Sequence, residues 1–393
     1  MATKALVFVV SIISLCLLRL LVVAPVSLPF SSWLTITAPP PCVYKTTYHS
    51  SPFEQLWLSN IATWQNHDIC EHLHSPEQAP LLHKYITAIC SRTTDDPAWC
   101  VLDDGGPQPL FYNLNVPNRY SLTQPSTVTV IHPPEPVIPS DPEVFSYFEV
   151  TGTCDPPATT PIREYIEPLI SHLRHPTAKC RAPFYPPQRE LNYFKYLTVL
   201  RTFVVPAPGP VEDAKHYYFD AGSTSWLAID TLGGSSLAFF TSQWALHGIY
   251  FDKIVAWEGS TSVEEFRKDV PEEWKERTVY YNEWIATSPA NSVEEGRPFL
   301  PTIIRETTLK SDYVLFKLDI DSKAVETAII EHLLDPGNDD LEYIDELVWE
   351  HHVDNYLMNP NWADTIDESK SIADSYQYFI RLRQRGVRAH SWV

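Results

Sequence analysis

The chain has 393 residues, 35 of them proline and only 2 methionine, with a formal net charge of −20 and a pI near 5.0. That length accommodates two ordinary domains or one large one, and an apolar share of 44% supplies a full core. The acidity excludes nucleic acid as a main partner, because binding it requires clustered Lys and Arg against the phosphates.

The N-terminus, "MATKALVFVVSIISLCLLRLLVVAPV", places Lys4 before an apolar run from Ala5 to Val26 that only Arg19 interrupts. The run is long enough to cross a bilayer, and Lys4 favours a cytosolic N-terminal end. This predicts a signal anchor over 1–26 and a single-pass membrane protein of the secretory pathway, in the Golgi or ER, with a lumenal or extracellular body. A cleaved signal peptide with its apolar core at Leu6 to Leu18 is the alternative. Residues 27–50 are rich in Pro, Ser and Thr and read as a stem.

Residues 51–190 read as a lumenal region rich in Cys and Pro. Two helical patterns open it, "PFEQLWLSNIATWQ" and "PLLHKYITAICSR", and a proline-dense stretch with short strands follows. Beyond Cys16, all six cysteines (Cys42, Cys70, Cys90, Cys100, Cys154, Cys180) precede the middle of the chain. An even number behind a targeting segment predicts a disulfide framework, with fifteen pairings open. No Cys-x-x-Cys pair is present to suggest zinc.

From residue 191 the pattern changes to alternating strands and helices, the signature of an α/β fold with a parallel sheet. The strands read are "HYYFDAG", "FDKIVAWEG", "RTVYYNEWIA", "DYVLFKLDID", "IDELVWEHH" and "GVRAHSWV". Between them lie helices with apolar faces at Leu237/Phe240/Trp244, Val325/Ile329/Leu333 and Ile372/Tyr376/Phe379/Leu382. In such sheets ligands sit beyond the C-terminal strand ends, near the point where strand order reverses. The residues arriving there are Asp220 and Gly222, then Glu258, Tyr281 and Asn282, Asp319 and Asp321, and Glu350, His351 and His352. Adjacent histidines in a strand point to opposite faces, so at most one faces the site. His390 and Trp392 in the last strand read as edge packing, and Asp319 and Asp321 with Ser322 can alternatively cap the following helix.

"FDAGSTSW", "GGSS", "VAWEG", "VLFKLDID" and "DELVWEHH" together resemble the class I S-adenosylmethionine-dependent methyltransferases, and more closely their FkbM-type members. The resemblance covers 191–393 and implies a Rossmann-like sheet. It implies cofactor contacts for Asp220, Gly222, Gly233 and Gly234 beside the methionine moiety, Glu258 at the ribose diol and Asn282 near the adenine. It places Asp319 at the methyl-transfer edge, so Asp319 or His352 would take the proton of an acceptor hydroxyl on a glycan or small molecule. Ser223 to Leu232 stretch the usual glycine motif, and a seventh strand is missing. Two other readings remain. A Golgi-type glycosyltransferase would use Asp319-Ile320-Asp321 for a metal and a nucleotide sugar. A non-catalytic binding module would keep the fold alone.

Overall fold

The computed structural model describes residues 43–90, 141–153, 161–173, 214–227, 237–246, 249–355, 362 and 364–392. Among them no helix is long and apolar enough to cross a membrane. The expected anchor, most of the stem and the Gly233-Gly234 pair lie outside the described residues.

The centre is a six-stranded, wholly parallel sheet of β4 (His216–Ala221), β5 (Lys253–Trp257), β6 (Thr278–Tyr281), β7 (Tyr313–Leu318), β8 (Glu346–Trp349) and β11 (Arg388–Ser391). All six are strands that the sequence predicts. The spatial order β6-β5-β4-β7-β8-β11 means that the chain starts at the centre, builds outward to one edge, then returns and builds to the other. Counting only these strands, the order is 3-2-1-4-5-6, that of a doubly wound Rossmann-like sheet, and the reversal falls between β4 and β7. Helices cover a parallel sheet on both faces, so its inner strands are apolar without alternation. Every residue of β7, "YVLFKL", is buried accordingly, although one of them is Lys317.

The three main crossover helices form where the apolar spacing predicts. Leu237–Leu246 buries Leu237, Phe240 and Trp244. Lys323–Leu334 buries Ile329 and Leu333, while Val325 packs at the margin. Ile372–Gln384 is opened by a capping box between Ser371 and Asp374 and buries Ile372, Tyr376, Phe379 and Leu382. It stops at Gly386, whose φ of +95° takes the left-handed turn there. Four short helices that the sequence reading does not include fill the β5–β6 and β6–β7 crossovers: Val263–Arg267, Glu272–Lys275, Pro289–Glu295 and Leu300–Thr307.

The N-terminal part departs from the expected stem. Val43–His49 is β1, paired antiparallel along its whole length with β2 (Ser146–Thr153), which in turn pairs with β3 (Ile162–Ile166). The β1 sequence, "VYKTTYH", is rich in β-branched and aromatic residues but does not alternate, so it gives little strand signal. The expected helices run over Pro52–Trp64 and Ala79–Cys90, with a short one at Ile69–Leu73 between them. Cys70 in that short helix is disulfide-bonded. Cys42, Cys100, Cys154 and Cys180 lie outside the described residues. Pro41–Val393 forms one compact unit; a main hydrophobic core runs from Phe53 to Trp392, and Phe148 and Ile166 form a small separate cluster in the antiparallel sheet.

Three buried cations, each against at least one carboxylate, join this N-terminal part to the sheet. Arg383 donates to Glu54 Oε2 at 3.2 Å and to Glu167 Oε1 at 3.1 Å. His390 places one ring nitrogen 2.8 Å from Glu167 and the other 2.8 Å from Glu346. Arg388 pairs with Glu164, and Tyr313 and Trp244 both donate to Glu346. His390, read from sequence as a mere edge residue, is thus central to this network. Burial alone would lower its pKa, but the flanking carboxylates raise it to about 9.

Candidate active site

The site is assembled by the ends of five adjacent parallel strands, β6, β5, β4, β7 and β8. On β4, Asp220 is fully buried and accepts the Tyr218 hydroxyl at 2.8 Å. Its register partner on β7 is Lys317, so both side chains fall on one face of the sheet, with Nζ 3.5 Å from Asp220 Oδ1. Burial raises the Asp220 pKa against the opposing pull of Lys317. The carboxylate expected beside a cofactor therefore lies beneath the strand ends, engaged by protein groups.

Gly222 has φ +102°, and a Cβ there would stand 1.5 Å from the carbonyl oxygen of Asp319. Its lack of a side chain is required by the backbone of the neighbouring strand end. The junction is knitted by Gly222 N and Ser223 N donating to Trp257 O at 2.9 and 3.1 Å, and by Asp319 N donating to Ala221 O at 3.0 Å. The sequence reading assigned the glycine to cofactor approach. The space it leaves is occupied by β7, at the reversal point of the sheet.

Lys317 bonds Asp319 Oδ2 at 2.7 Å, and the Trp392 indole donates to the same oxygen at 3.1 Å. Burial works against the charge on Lys317, but Asp220 and Asp319 outweigh it and raise its pKa. Burial likewise tends to raise the pKa of Asp319, and Lys317 overcomes it, so the carboxyl lies below its ordinary range. Asp319 is therefore a fixed negative charge and a weak proton acceptor. Trp392, expected as edge packing, is one of the groups that fixes it.

At the end of β5, Glu258 is partly exposed. Its Oε1 accepts both the backbone N–H and the hydroxyl of Ser260 at 2.7 Å. Asn282, after β6, donates to the carbonyls of Glu258 and Gly259 at 3.0 Å each, tying the two loops together. Beside them Tyr281 and Trp284 are 41% and 60% exposed, unusual for aromatics in so apolar a fold. Trp284 packs so close to Gly259 that a Cβ there would meet its ring at 2.4 Å. The sequence reading did not include Trp284; an aromatic two residues past a polar strand end was its only signal.

Beyond β8, the two histidines separate as strand geometry requires. His351 stacks on Trp349 at 4.1 Å between ring centres and meets Ser375 Oγ at 3.0 Å. Burial lowers its pKa to about 3, which keeps it neutral. His352 points the other way, toward Glu350, Thr365 and Asp321. Its Nε2 stands 3.1 Å from Glu350 Oε1, its Nδ1 2.8 Å from Thr365 Oγ1, and the Asp321 carboxylate approaches at 3.8 Å. Thr365 arrives there because β9 (Val353–Asp354) pairs with β10 (Asp367–Ser371) just downstream.

Asp321 has φ +54°, the left-handed region, and its side chain is 63% exposed. The loop it occupies is held from below by Glu326, a buried carboxyl that sequence reading missed. Glu326 accepts from Ile320 N at 3.1 Å, Ser322 N at 3.3 Å and the Trp349 indole at 3.1 Å. Burial and then the nearby Asp319 raise its pKa to about 8. From sequence it looks like any helix-surface glutamate. The helix cap expected of Asp319, Asp321 and Ser322 is replaced by this inward carboxylate, since Ser322 makes no side-chain cap bond.

The strand ends thus bring Asp319, Asp321, Glu350 and His352 to one side of the reversal point and Asp220, Glu258 and Asn282 to the other, with Lys317 bridging Asp220 and Asp319 across it. Compared with known proteins, the chain matches no family model, no curated protein and no solved structure.

Proposed function

We propose that the protein is an enzyme of the secretory pathway that transfers a methyl group from S-adenosylmethionine to a hydroxyl oxygen of a glycan or small molecule. The observation that carries this reading is the position of Glu258. It is a partly exposed carboxylate at the end of the second strand of a 3-2-1-4-5-6 parallel sheet, beside the reversal point. A carboxylate there can accept two hydrogen bonds from a ribose diol. The donor set around it fits the rest of the cofactor: exposed Tyr281 and Trp284 offer aromatic faces for a purine, and Asn282 holds the loop between them.

The bound cofactor would supply an electrophilic methyl on a cationic sulfur. The protein's contribution is positioning and charge. Asp319, held in place by Lys317 and Trp392, would stand as a fixed carboxylate at the transfer edge. His352, beside Asp321 and Glu350, is the group suited to accept the hydroxyl proton as the oxygen–carbon bond forms.

Calorimetric titration of the full chain with S-adenosylhomocysteine tests the proposal. Losing two charge-assisted bonds costs on the order of 2–4 kcal/mol, so Glu258→Ala should weaken binding roughly thirty-fold or more. Folded protein that ignores this ligand but binds a sugar nucleotide with Mn²⁺ would establish the glycosyltransferase reading instead. Binding of neither would leave a non-catalytic module.

A further inference from the structure

We propose that Glu326 is a positioning residue of the site: its carboxyl group braces the loop after β7 against the loop after β8 and so sets the spacing of the groups they carry. Asp319 and Asp321 lie on the first loop, Glu350 and His352 on the second. What those groups do rests on the methyl-transfer reading, whereas the brace rests on geometry.

Glu326 lies in the first turn of the helix Lys323–Leu334 and is buried. Its Oε1 accepts from Ile320 N at 3.1 Å and from Ser322 N at 3.3 Å. These are the amides on either side of Asp321, whose left-handed φ of +54° lets both reach one oxygen. Successive N–H groups around such a turn form a concavity that suits an oxygen acceptor. Here the protein supplies the acceptor from within, and the Asp321 side chain stays exposed.

The second oxygen, Oε2, accepts from the Trp349 indole at 3.1 Å. Trp349 ends β8 and is fully buried, with His351 at 4.1 Å and Phe379 at 5.4 Å between ring centres. Glu350 is the next residue along the chain. The β7–β8 register ends with Leu318 opposite Trp349, so the brace acts where the ladder stops. A helix cap alone would serve the first amides of the helix. Ile320 precedes that helix by three residues, and Trp349 belongs to another strand.

Only a carboxyl group fits both ends. It keeps an acceptor on each oxygen, neutral or ionised, whereas glutamine turns an NH₂ toward a donor whichever way its amide lies. Aspartate is one carbon shorter.

Amide hydrogen exchange of the full-length protein, read by mass spectrometry without any ligand, tests the proposal. Glu326→Met keeps a similar volume and removes both acceptors, so 319–322 and 350–353 should exchange roughly ten-fold or more faster. The strand at 313–318 and the helix end at 329–334 should keep the wild-type rate. Glu326→Gln restores one acceptor and should return one of the two loops toward the wild-type rate. A side chain that only fills space would be replaced by Met with neither loop affected. One that only caps its helix would quicken 323–327 and leave 350–353 unchanged. Either result overturns the proposal, as does a uniform rise along the chain. Should the Met variant unfold, Trp349→Phe removes the indole donor alone; it should quicken 350–353 and spare 319–322, and unchanged exchange at 350–353 overturns the proposal. No methyl donor is present in this experiment, so its outcome is separate from S-adenosylhomocysteine binding by the wild type, which tests the methyl-transfer reading.

Discussion

Two groups of buried charge lie at opposite places in this fold, and they are built on different plans. Where the N-terminal part meets the sheet, Arg383, Arg388 and His390 alternate with Glu54, Glu164, Glu167 and Glu346, and each cation touches at least one carboxylate. At the C-terminal strand ends, Lys317 serves two aspartates, and the charge beyond it is carboxylate and imidazole only: Asp321, Glu350 and His352. The first group interleaves three cations with four carboxylates, so that every carboxylate touches a cation, and it is closed over. The second has a larger excess of carboxylates and one open side. Charges are costly to bury unless paired, so the interleaved group serves assembly, whereas the other is ready for a positively charged or proton-donating guest.

Removing the cation at the centre of the closed group gives the largest effect. Arg383→Met leaves Glu54 and Glu167 buried without their cation and should cost about 3–5 kcal/mol, read as a lower urea midpoint. A variant as stable as the wild type would show that the network is incidental.

The open group rests on a rigid floor, and Gly222 is its tightest point. Gly222→Ala sets a methyl against the Asp319 carbonyl in a left-handed backbone and should cost roughly 3 kcal/mol or more. Thermal unfolding separates this from a pure binding defect: an unshifted midpoint would mean that the glycine serves a ligand after all.

A pH series separates the two groups further. His390 has its pKa raised from 6.5 to about 9, so its contribution is complete below pH 6.5 and is lost as pH rises through 9. The loss amounts to roughly 3 kcal/mol as an upper figure. His390→Gln should flatten this part of the stability profile. Glu326 acts with the same sign in an earlier window, because its pKa is raised from 4.5 to about 8 and its contribution fades over that interval. Asp345, raised from 3.8 to about 6, adds to it at the lower end, so the slope that remains in His390→Gln between about pH 6 and 8 is where Glu326 is read. A profile unaltered by the substitution would mean that the histidine is neutral in its pocket.

The smallest expected effect is on stability at the open edge itself. Glu258 is partly exposed and bonds only its own loop, so Glu258→Ala should change stability by less than about 0.5 kcal/mol. A ligand role would then appear in titration alone.

The sheet was legible in the sequence because parallel strands buried on both faces give continuous apolar runs, and all six stood out between amphipathic helices. Strand ends then followed, and with them Glu258, Asn282, Asp319 and His352. Opposite orientation of His351 and His352 followed from strand geometry alone. Harder to read were contacts that depend on register across the sheet. Lys317 opposite Asp220 needs β4 and β7 to be neighbours, which strand order decides. Glu326 is a helix residue whose inward turn depends on the loop above it. β1 was hidden because its pairing partner lies about a hundred residues away, and a heptad without polar–apolar alternation, following a run of prolines, gives little local signal.

The left-handed backbone at Asp321 sets two demands against each other. Glycine would adopt that conformation without strain, and Asp321→Gly should gain stability of about 1 kcal/mol. The same change deletes the only exposed carboxylate of the three-residue cluster. A directed-evolution screen that rewards heat resistance alone would therefore drift toward glycine here and discard whatever the cluster holds. Residue 321 is a place where a better-folded protein and a working one have different sequences.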